Sequence, residues 1–166
     1  MDIKNQDIAR QCLEGAESGT MTFPQVVGTL MAAAFDGYLV DLRLGQATYY
    51  LQEGEGLELP THLSSVAVAA EFNVDIVKAA IREAQALVPG YTYKGFCDKV
   101  KRAGCAGYLV SFLGRRVLYF GRTGETHTEY FPGTQSAGTP GITERPAHSH
   151  SIVAGTYKHL KLLVFS

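Results

Sequence analysis

The sequence predicts an α+β fold, with two tandem α-β-β units forming one mainly antiparallel sheet that has its helices packed on one face. The first observation is that the tetrapeptide GYLV occurs at residues 37–40 and again at residues 107–110, an offset of 70. The second is that apolar residues around each copy change from the helical period of 3.6 to the strand period of 2. A fixed offset of this kind is typical of two copies of one structural unit.

The flanks of the two tetrapeptides also match at the offset of 70, without a gap from residue 23 to residue 55. Apolar and glycine positions agree between the copies, whereas polar positions diverge, as expected if packing is shared and surfaces are not. We therefore predict an internal duplication, with unit one at about 22–60 and unit two at about 92–132. The matched pairs include Phe23 with Tyr93, Val27 with Cys97, Tyr38 with Tyr108, Tyr49 with Tyr119, and Gly54 with Gly124.

Unit one begins with a helix and continues as a hairpin. Thr22 is a suitable N-cap, and Gln25 three residues later completes a T-x-x-Q capping box. We expect this helix to end at residues 36–37, the dipeptide Asp-Gly. Residues 38–43 then alternate in polarity as a half-buried strand does, and a turn at residues 44–45 leads into a second strand, QATYYLQ. We expect the following stretch, GEGLELPTHLSS, to be a loop or an irregular edge.

Unit two repeats the pattern, and further helices flank both units. Thr92 caps the unit-two helix and Gly104 ends it, after which a hairpin turns about Gly114. The stretch THTEYFP is expected to add a third strand that ends at Pro132. Apolar periodicity predicts one helix at about 6–14 and a linking helix at about 74–87. Residues 1–132 thus form the duplicated domain.

Composition indicates a globular protein and disfavours two classes of partner. The chain has 166 residues, of which 46% are apolar and 19% charged, so it can bury a core. Its formal net charge of −1 disfavours a role in general nucleic-acid binding. The N-terminus is polar, and the longest apolar stretch is about half of a membrane span. We expect a cytoplasmic protein with no membrane association, present as a monomer or a homodimer.

The three cysteines, Cys12, Cys97 and Cys105, form neither a disulfide framework nor a zinc-binding pattern. We expect buried thiols, which suit a reducing compartment. His148 and His150 have a chelating i, i+2 spacing, but two histidines alone make a weak metal site. We therefore expect no metal and no cofactor.

The C-terminal part, residues 133–166, differs in character from the rest of the chain. Residues 133–147 are rich in Gly, Pro, Ser and Thr, and they predict a linker with little regular structure. Residues 156–165 contain the apolar run LKLLVF, which is costly to leave in water. We expect that run to dock on the body as a separate element, at a free sheet edge beside unit two or on another chain.

Several separated segments resemble one known family. The segments are MTFPQVVGTLMAA, YLVDLRLGQATYYLQEGE, VKAAIREAQ and AGCAGYLVSFLGRRVLYFGRTGETHTEYFP, and together they cover about residues 7–132. In that order they resemble the YbcV/YdfO-like family, small bacterial and prophage proteins of unknown function that are sometimes labelled phage envelope protein-like. The resemblance implies an α+β fold and a bacterial or prophage origin. It carries over no catalytic residues.

The sequence contains none of the common catalytic or phosphate-binding motifs, such as G-x-S-x-G, the P-loop, H-E-x-x-H or CxxC. The most polar constellation is GETHTEY, in which Glu125, His127 and Glu129 would share one face of a strand. A histidine between carboxylates could act in acid–base chemistry, while an exposed sheet edge would show the same alternation.

Two further sets of residues are candidates for ligand binding. Arg115, Arg116 and Arg122 lie around the second hairpin, where they could hold an anionic ligand or keep an edge soluble. Tyr119 and its matched tyrosines could line a cleft between the units or pack in the core. We favour a non-enzymatic module that binds a protein or a small ligand. The alternative is a small enzyme that uses His127 with Glu125 or Glu129.

Overall fold

The computed structural model describes residues 1–61 and 65–133 of the chain. Each half of this part of the chain contains two helices followed by three strands. The elements are α1 (Ile3–Ser18), α2 (Phe23–Ala32), β1 (Phe35–Asp41), β2 (Gln46–Leu51), β3 (Gly56–Pro60), α3 (Val74–Gln85), α4 (Tyr93–Arg102), β4 (Cys105–Ser111), β5 (Arg116–Gly121) and β6 (Thr126–Tyr130).

The six strands form a single sheet in the order β3-β2-β1-β4-β5-β6, and every neighbouring pair is antiparallel. β1 and β4 are therefore the central pair, and β3 and β6 are the two edges. α1 packs on α2 and α3 packs on α4, and α2 and α4 contact the central strands. The predicted α+β fold with a mainly antiparallel sheet is confirmed.

One face of the sheet carries the core and the other is open. Tyr38 and Val40 of β1 are buried together with Tyr108 and Val110 of β4, and these residues join helix residues in one core cluster. Leu39 in β1 and Leu109 in β4 lie between these buried residues and point to the opposite face, where Leu109 is 36% exposed. The helices therefore lie on one face, as the sequence predicts.

The pairing of the strands repeats at the offset of 70. Gly37 pairs with Tyr50 between β1 and β2, and Gly107 pairs with Phe120 between β4 and β5. Both pairs follow an irregularity of register at the same relative position. The element order in residues 22–55 is also the order in residues 92–125. The common origin of the two halves stays a prediction.

The first repeat helix ends earlier than the sequence predicts. α2 ends at Ala32, and the chain turns at Ala34, which has a φ of +62°. The expected end at residues 36–37 is wrong because those residues already belong to β1. Gly37 serves the strand instead, since a Cβ there would overlap the Val110 carbonyl oxygen.

The stretch expected to be a loop or an irregular edge contains the strand β3, so unit one has a third strand, as the sequence predicts for unit two. Leu57 is half-buried and Leu59 is buried, while Glu58 between them is exposed, so this short stretch has the alternation of an edge strand. It pairs with β2 along its full length. α1 is longer than the expected 6–14 because Asp2 caps it through a hydrogen bond from the Asn5 N–H (2.7 Å).

The expected thiol state is confirmed, since Cys12, Cys97 and Cys105 are all free and buried. Within residues 1–61 and 65–133, none of the helices has the length and apolar character needed to span a bilayer. The predicted linker beyond Gly133, the histidines His148 and His150, and the predicted docking element at 156–165 lie outside the described residues.

Candidate functional site

His127 and Glu129 form a polar pair on the helix-bearing face of β6. His127 Nε2 lies 3.2 Å from Glu129 Oε2, and the side chain of Gln85 at the end of α3 donates to Glu129 Oε1 (3.3 Å). The His127 ring stacks on the ring of Tyr119, with 6.4 Å between centroids. The imidazole is thus held by a carboxylate and an aromatic ring, and its side chain is 15% exposed. A histidine oriented in this way has the geometry of an acid–base residue.

Glu125 does not join this pair. It immediately precedes β6, and its carboxylate accepts a hydrogen bond from the Thr123 hydroxyl in the exposed turn (2.5 Å). The predicted trio on one strand face is therefore reduced to His127 and Glu129. The reason is that residues 122–125 form the β5–β6 turn, where the alternation of a strand does not hold.

Tyr119 is a packing residue between the sheet and the helices. Its ring lies 5.5 Å from Tyr108, which lies 6.4 Å from Tyr38, so the matched tyrosines form a row across the core. Burial raises the pKa of Tyr119, and the residue stays neutral. The hydroxyls of Tyr93 and Tyr108 bond to each other (2.5 Å). The matched tyrosines are therefore buried in the core.

The three candidate arginines do not lie together. Arg116, at the start of β5, donates to the Gly114 carbonyl (3.0 Å), and its guanidinium lies 4.9 Å from the centroid of the Tyr130 ring. Arg115 lies in the adjoining turn with a φ of +48°. Arg122 follows the other end of β5, roughly 20 Å away by strand geometry, and donates to the Val68 carbonyl (3.4 Å).

Arg122 instead lines a cleft together with Arg43 and Lys101, which the sequence does not indicate as candidates. The cleft has a volume of about 720 Å³ and lies at one end of the sheet, between the β1–β2 turn, the end of α4 and the segment 65–68. We call it the basic cleft. Its polar lining comprises Arg43, Gly45, Thr61, Ser65, Lys101 and Arg122.

Local structure fixes each cation of the basic cleft. Arg43 follows β1. The Asp41 carboxylate accepts hydrogen bonds from the Arg43 backbone N–H (2.8 Å) and from the Arg43 guanidinium (3.2 Å). Lys101 lies in the last turn of α4 and is 6% exposed, the one charged residue classed as buried in the described part of the chain. The N–H of Ala69 bonds to the Lys101 carbonyl (3.0 Å), which holds the segment 65–68 against the end of α4.

The ionisation of Asp41 supports this arrangement. Burial opposes the charged form, but hydrogen bonds from the N–H groups of Leu44 and Arg43, and from the Arg43 guanidinium, outweigh it and hold the pKa of Asp41 below its ordinary value. Asp41 therefore remains a carboxylate that orients Arg43 at the mouth of the cleft. Thr61 contributes a buried hydroxyl that has no hydrogen-bond partner within residues 1–61 and 65–133.

The residues of the basic cleft carry one weak signal in the sequence. Lys101 occupies a helix position four residues after Cys97 and eight after Tyr93, on the apolar face of α4, where a lysine is unexpected. Arg43 and Thr61 carry no such signal, because only the folded chain places them beside Lys101.

A second cavity of about 590 Å³ lies between α1 and α2, but Lys4 is the only charged side chain in its lining. Within residues 1–61 and 65–133, no group of three His, Cys, Asp or Glu side chains has a geometry suited to a metal ion. Of these two cavities, the basic cleft is the larger and brings together more cationic side chains. No model of a known protein family matches this chain, and a search of curated proteins finds no relative.

Proposed function

We propose that this protein is a non-enzymatic binding module and that the basic cleft takes a small anionic ligand bearing phosphate or carboxylate groups. The observation that carries the proposal is the convergence of Arg43, Lys101 and Arg122 on one cavity from three separate elements. Cationic side chains that line one cavity attract an anion electrostatically.

The donors that line the cleft favour a small anion. Three cationic side chains line it, namely Arg43, Lys101 and Arg122, and Asp41 forms an ion pair with Arg43. Arginine presents a planar set of donors that matches a carboxylate or phosphate. The volume of about 720 Å³ is in the range of small-molecule sites.

Isothermal titration calorimetry with inorganic phosphate and with citrate tests the proposal. We expect saturable binding that weakens as salt is added, since the contacts are ionic. Arg122→Gln and Arg43→Gln should each weaken binding by roughly tenfold, the effect of losing one charged hydrogen bond. Arg116→Gln is the matched control, because Arg116 lies at the other end of β5 and should leave the affinity unchanged.

Two results would contradict the proposal. One is the absence of saturable binding for both anions at low ionic strength. The other is an equal loss of affinity in Arg116→Gln and Arg122→Gln, which would indicate general charge attraction rather than a site.

The segments that resemble the YbcV/YdfO-like family support a broader proposal about origin and setting. We infer a cytoplasmic accessory protein of bacterial or prophage origin. A pull-down from such a host with the wild type and with Arg122→Gln tests this role. We expect one cellular anion to be retained by the wild type alone, and recovery of the same compounds with both proteins would count against it.

The second candidate function is acid–base catalysis by His127. The observation that favours it is the His127–Glu129 pair at 3.2 Å, in which the carboxylate orients the ring as in many general bases. Hydrolysis of an activated ester provides the assay. Catalysis above background that is lost in His127→Gln and reduced in Glu129→Gln would support an enzyme, and equal rates in all three proteins would exclude this role.

A further inference from the structure

The two edges of the sheet differ in their capacity to accept another strand. In an antiparallel edge strand, alternate residues bond to the inner neighbour and the rest direct their N–H and C=O groups outward. The N–H of Phe131 bonds to the Arg115 carbonyl (2.9 Å), and the N–H of Gly121 bonds to the Glu125 carbonyl (2.8 Å). The odd-numbered residues of β6 therefore face β5, and Thr126, Thr128 and Tyr130 direct their backbone groups outward.

The edge formed by β3 is protected. The Thr61 N–H bonds to the Gly45 carbonyl (2.8 Å), so the odd-numbered residues of β3 face β2. Gly56, Glu58 and Pro60 therefore direct their backbone groups outward. Pro60 has no N–H, and Glu58 carries a charge, which are two common means of preventing edge-to-edge pairing. β6 has neither, since its three outward residues all have an N–H and uncharged side chains.

The sequence of β6 is self-complementary about Thr128. If β6 paired antiparallel with a second β6 across a twofold axis at Thr128, His127 of one copy would lie directly opposite the partner's Glu129. The same axis places Glu129 opposite the partner's His127, so both contacts join a histidine to a carboxylate. A shift of register by two residues in either direction removes this match. Thr128 would pair with its own copy, a favourable cross-strand combination.

We propose that β6 is an isologous interface, through which two copies of this chain join their sheets into one continuous sheet with Thr128 on the twofold axis. The inference is independent of any ligand in the basic cleft, which lies at the end of the sheet near Arg43. His127 and Glu129 stay on the helix-bearing face, where the pair within each copy extends to a four-residue cluster across the interface.

Site-directed cross-linking of the full chain tests the register. The native thiols are buried, so Thr128→Cys adds one accessible thiol to the described structure. We expect a short thiol cross-linker to join two Thr128→Cys chains into a covalent dimer, because the paired Cα atoms would be about 5.5 Å apart. Thr126→Cys is the control, since Thr126 lies opposite the partner's Tyr130 and roughly 13 Å from its own copy.

Light scattering on the full chain tests the dimer itself. Thr128→Pro removes an outward N–H that makes no bond to β5, and it should weaken dimerisation by roughly tenfold or more. Glu58→Pro is the matched control, because Glu58 is the equivalent of Thr128 at the offset of 70 and has the same outward orientation on β3. The control should carry the same cost to folding and leave dimerisation unchanged.

Hydrogen exchange at Thr126, Thr128 and Tyr130 separates a second copy from other occupants of the edge. Protection that grows with protein concentration, together with cross-linking at residue 128 alone, supports the dimer. A monomer at all concentrations would overturn the proposal. So would protection that is independent of concentration, which would point to an intramolecular strand such as residues 156–165. Cross-linking that is equal at 126 and 128 would overturn the register.

Discussion

Leu39 lies directly opposite Leu109 in the central strand pair, and these two residues are each other's equivalents at the offset of 70. The register of β1 and β4 is therefore symmetric about these two leucines. Tyr38 pairs with Val110 on one side, and their equivalents Tyr108 and Val40 pair with each other on the other side. Both leucines lie on the open face of the sheet, and the two halves of the chain are arranged about them as if by a local twofold axis.

The first prediction concerns the two glycines that precede the matched tyrosines. A Cβ on Gly37 would overlap the Val110 carbonyl, and a Cβ on Gly107 would overlap the Val40 carbonyl, its equivalent. Gly37→Ala and Gly107→Ala should each lower the free energy of unfolding by about 1–3 kcal/mol, as overpacked sites do. Urea denaturation measures both. Gly28→Ala is the control, since an added Cβ there meets nothing and should stabilise α2 by up to about 1 kcal/mol. Unchanged stability in either variant would contradict the close approach of the two strands at these glycines.

The second prediction concerns equivalent positions that hold different residues. Ala34 has a φ of +62° and Gly104 a φ of +82°, so only the glycine is free of left-handed strain. Ala34→Gly should raise the free energy of unfolding by about 1 kcal/mol as that strain is relieved. Gly104→Ala should be strongly destabilising, because its Cβ would overlap the Glu71 carbonyl. Thermal unfolding of the two variants measures both changes in stability. A loss of stability in Ala34→Gly would show that the left-handed backbone at Ala34 is not strained.

The third prediction concerns alkaline pH. Burial raises the pKa of the Cys97 thiol from 9.0 to about 12 and that of Cys105 from 9.0 to about 11. Well below pH 9.0 both thiols are neutral in the folded and unfolded chains, so they add no dependence on pH there. Above it the unfolded chain loses protons that the folded chain retains, and the stability falls until the folded pKa is reached.

The melting temperature measured in reductant should therefore decrease from pH 9.0 towards about 11. Cys105→Ala, which has no thiol to ionise, should show a smaller slope over this window than the wild type. Identical slopes for the two proteins would mean that burial of this thiol does not contribute to alkaline unfolding.

Much of the fold follows from local pattern. Thr22 and Thr92 mark helix starts, and the alternation around Tyr38 and Tyr108 gives the buried face of the sheet, because capping and strand period depend on neighbouring residues alone. Local pattern does not predict β3, because two alternating leucines in five residues occur in loops as well as in edge strands. The segment becomes a strand because it pairs with β2, and local sequence pattern does not show that pairing.

The candidate site was harder to predict for the same reason. The sequence indicates Arg122 as a candidate, but it groups Arg122 with Arg115 and Arg116, which are its neighbours along the chain. The fold places those two at the far end of β5 and brings Arg43 and Lys101 to Arg122 instead. Spacing along the chain says little about a cleft that is assembled from a turn, a helix end and the end of a strand.

The most direct test of the proposed function is a two-dimensional NMR titration of the full, isotopically labelled chain with inorganic phosphate. Binding in the basic cleft predicts saturable shifts of the amides of Arg43, Gly45, Thr61, Lys101 and Arg122, and these shifts should be much reduced in Arg122→Gln. The amides of His127 and Glu129 should not move. Shifts that centre on His127 and Glu129, or that rise without saturation across the surface, would contradict the assignment of the basic cleft as the ligand site.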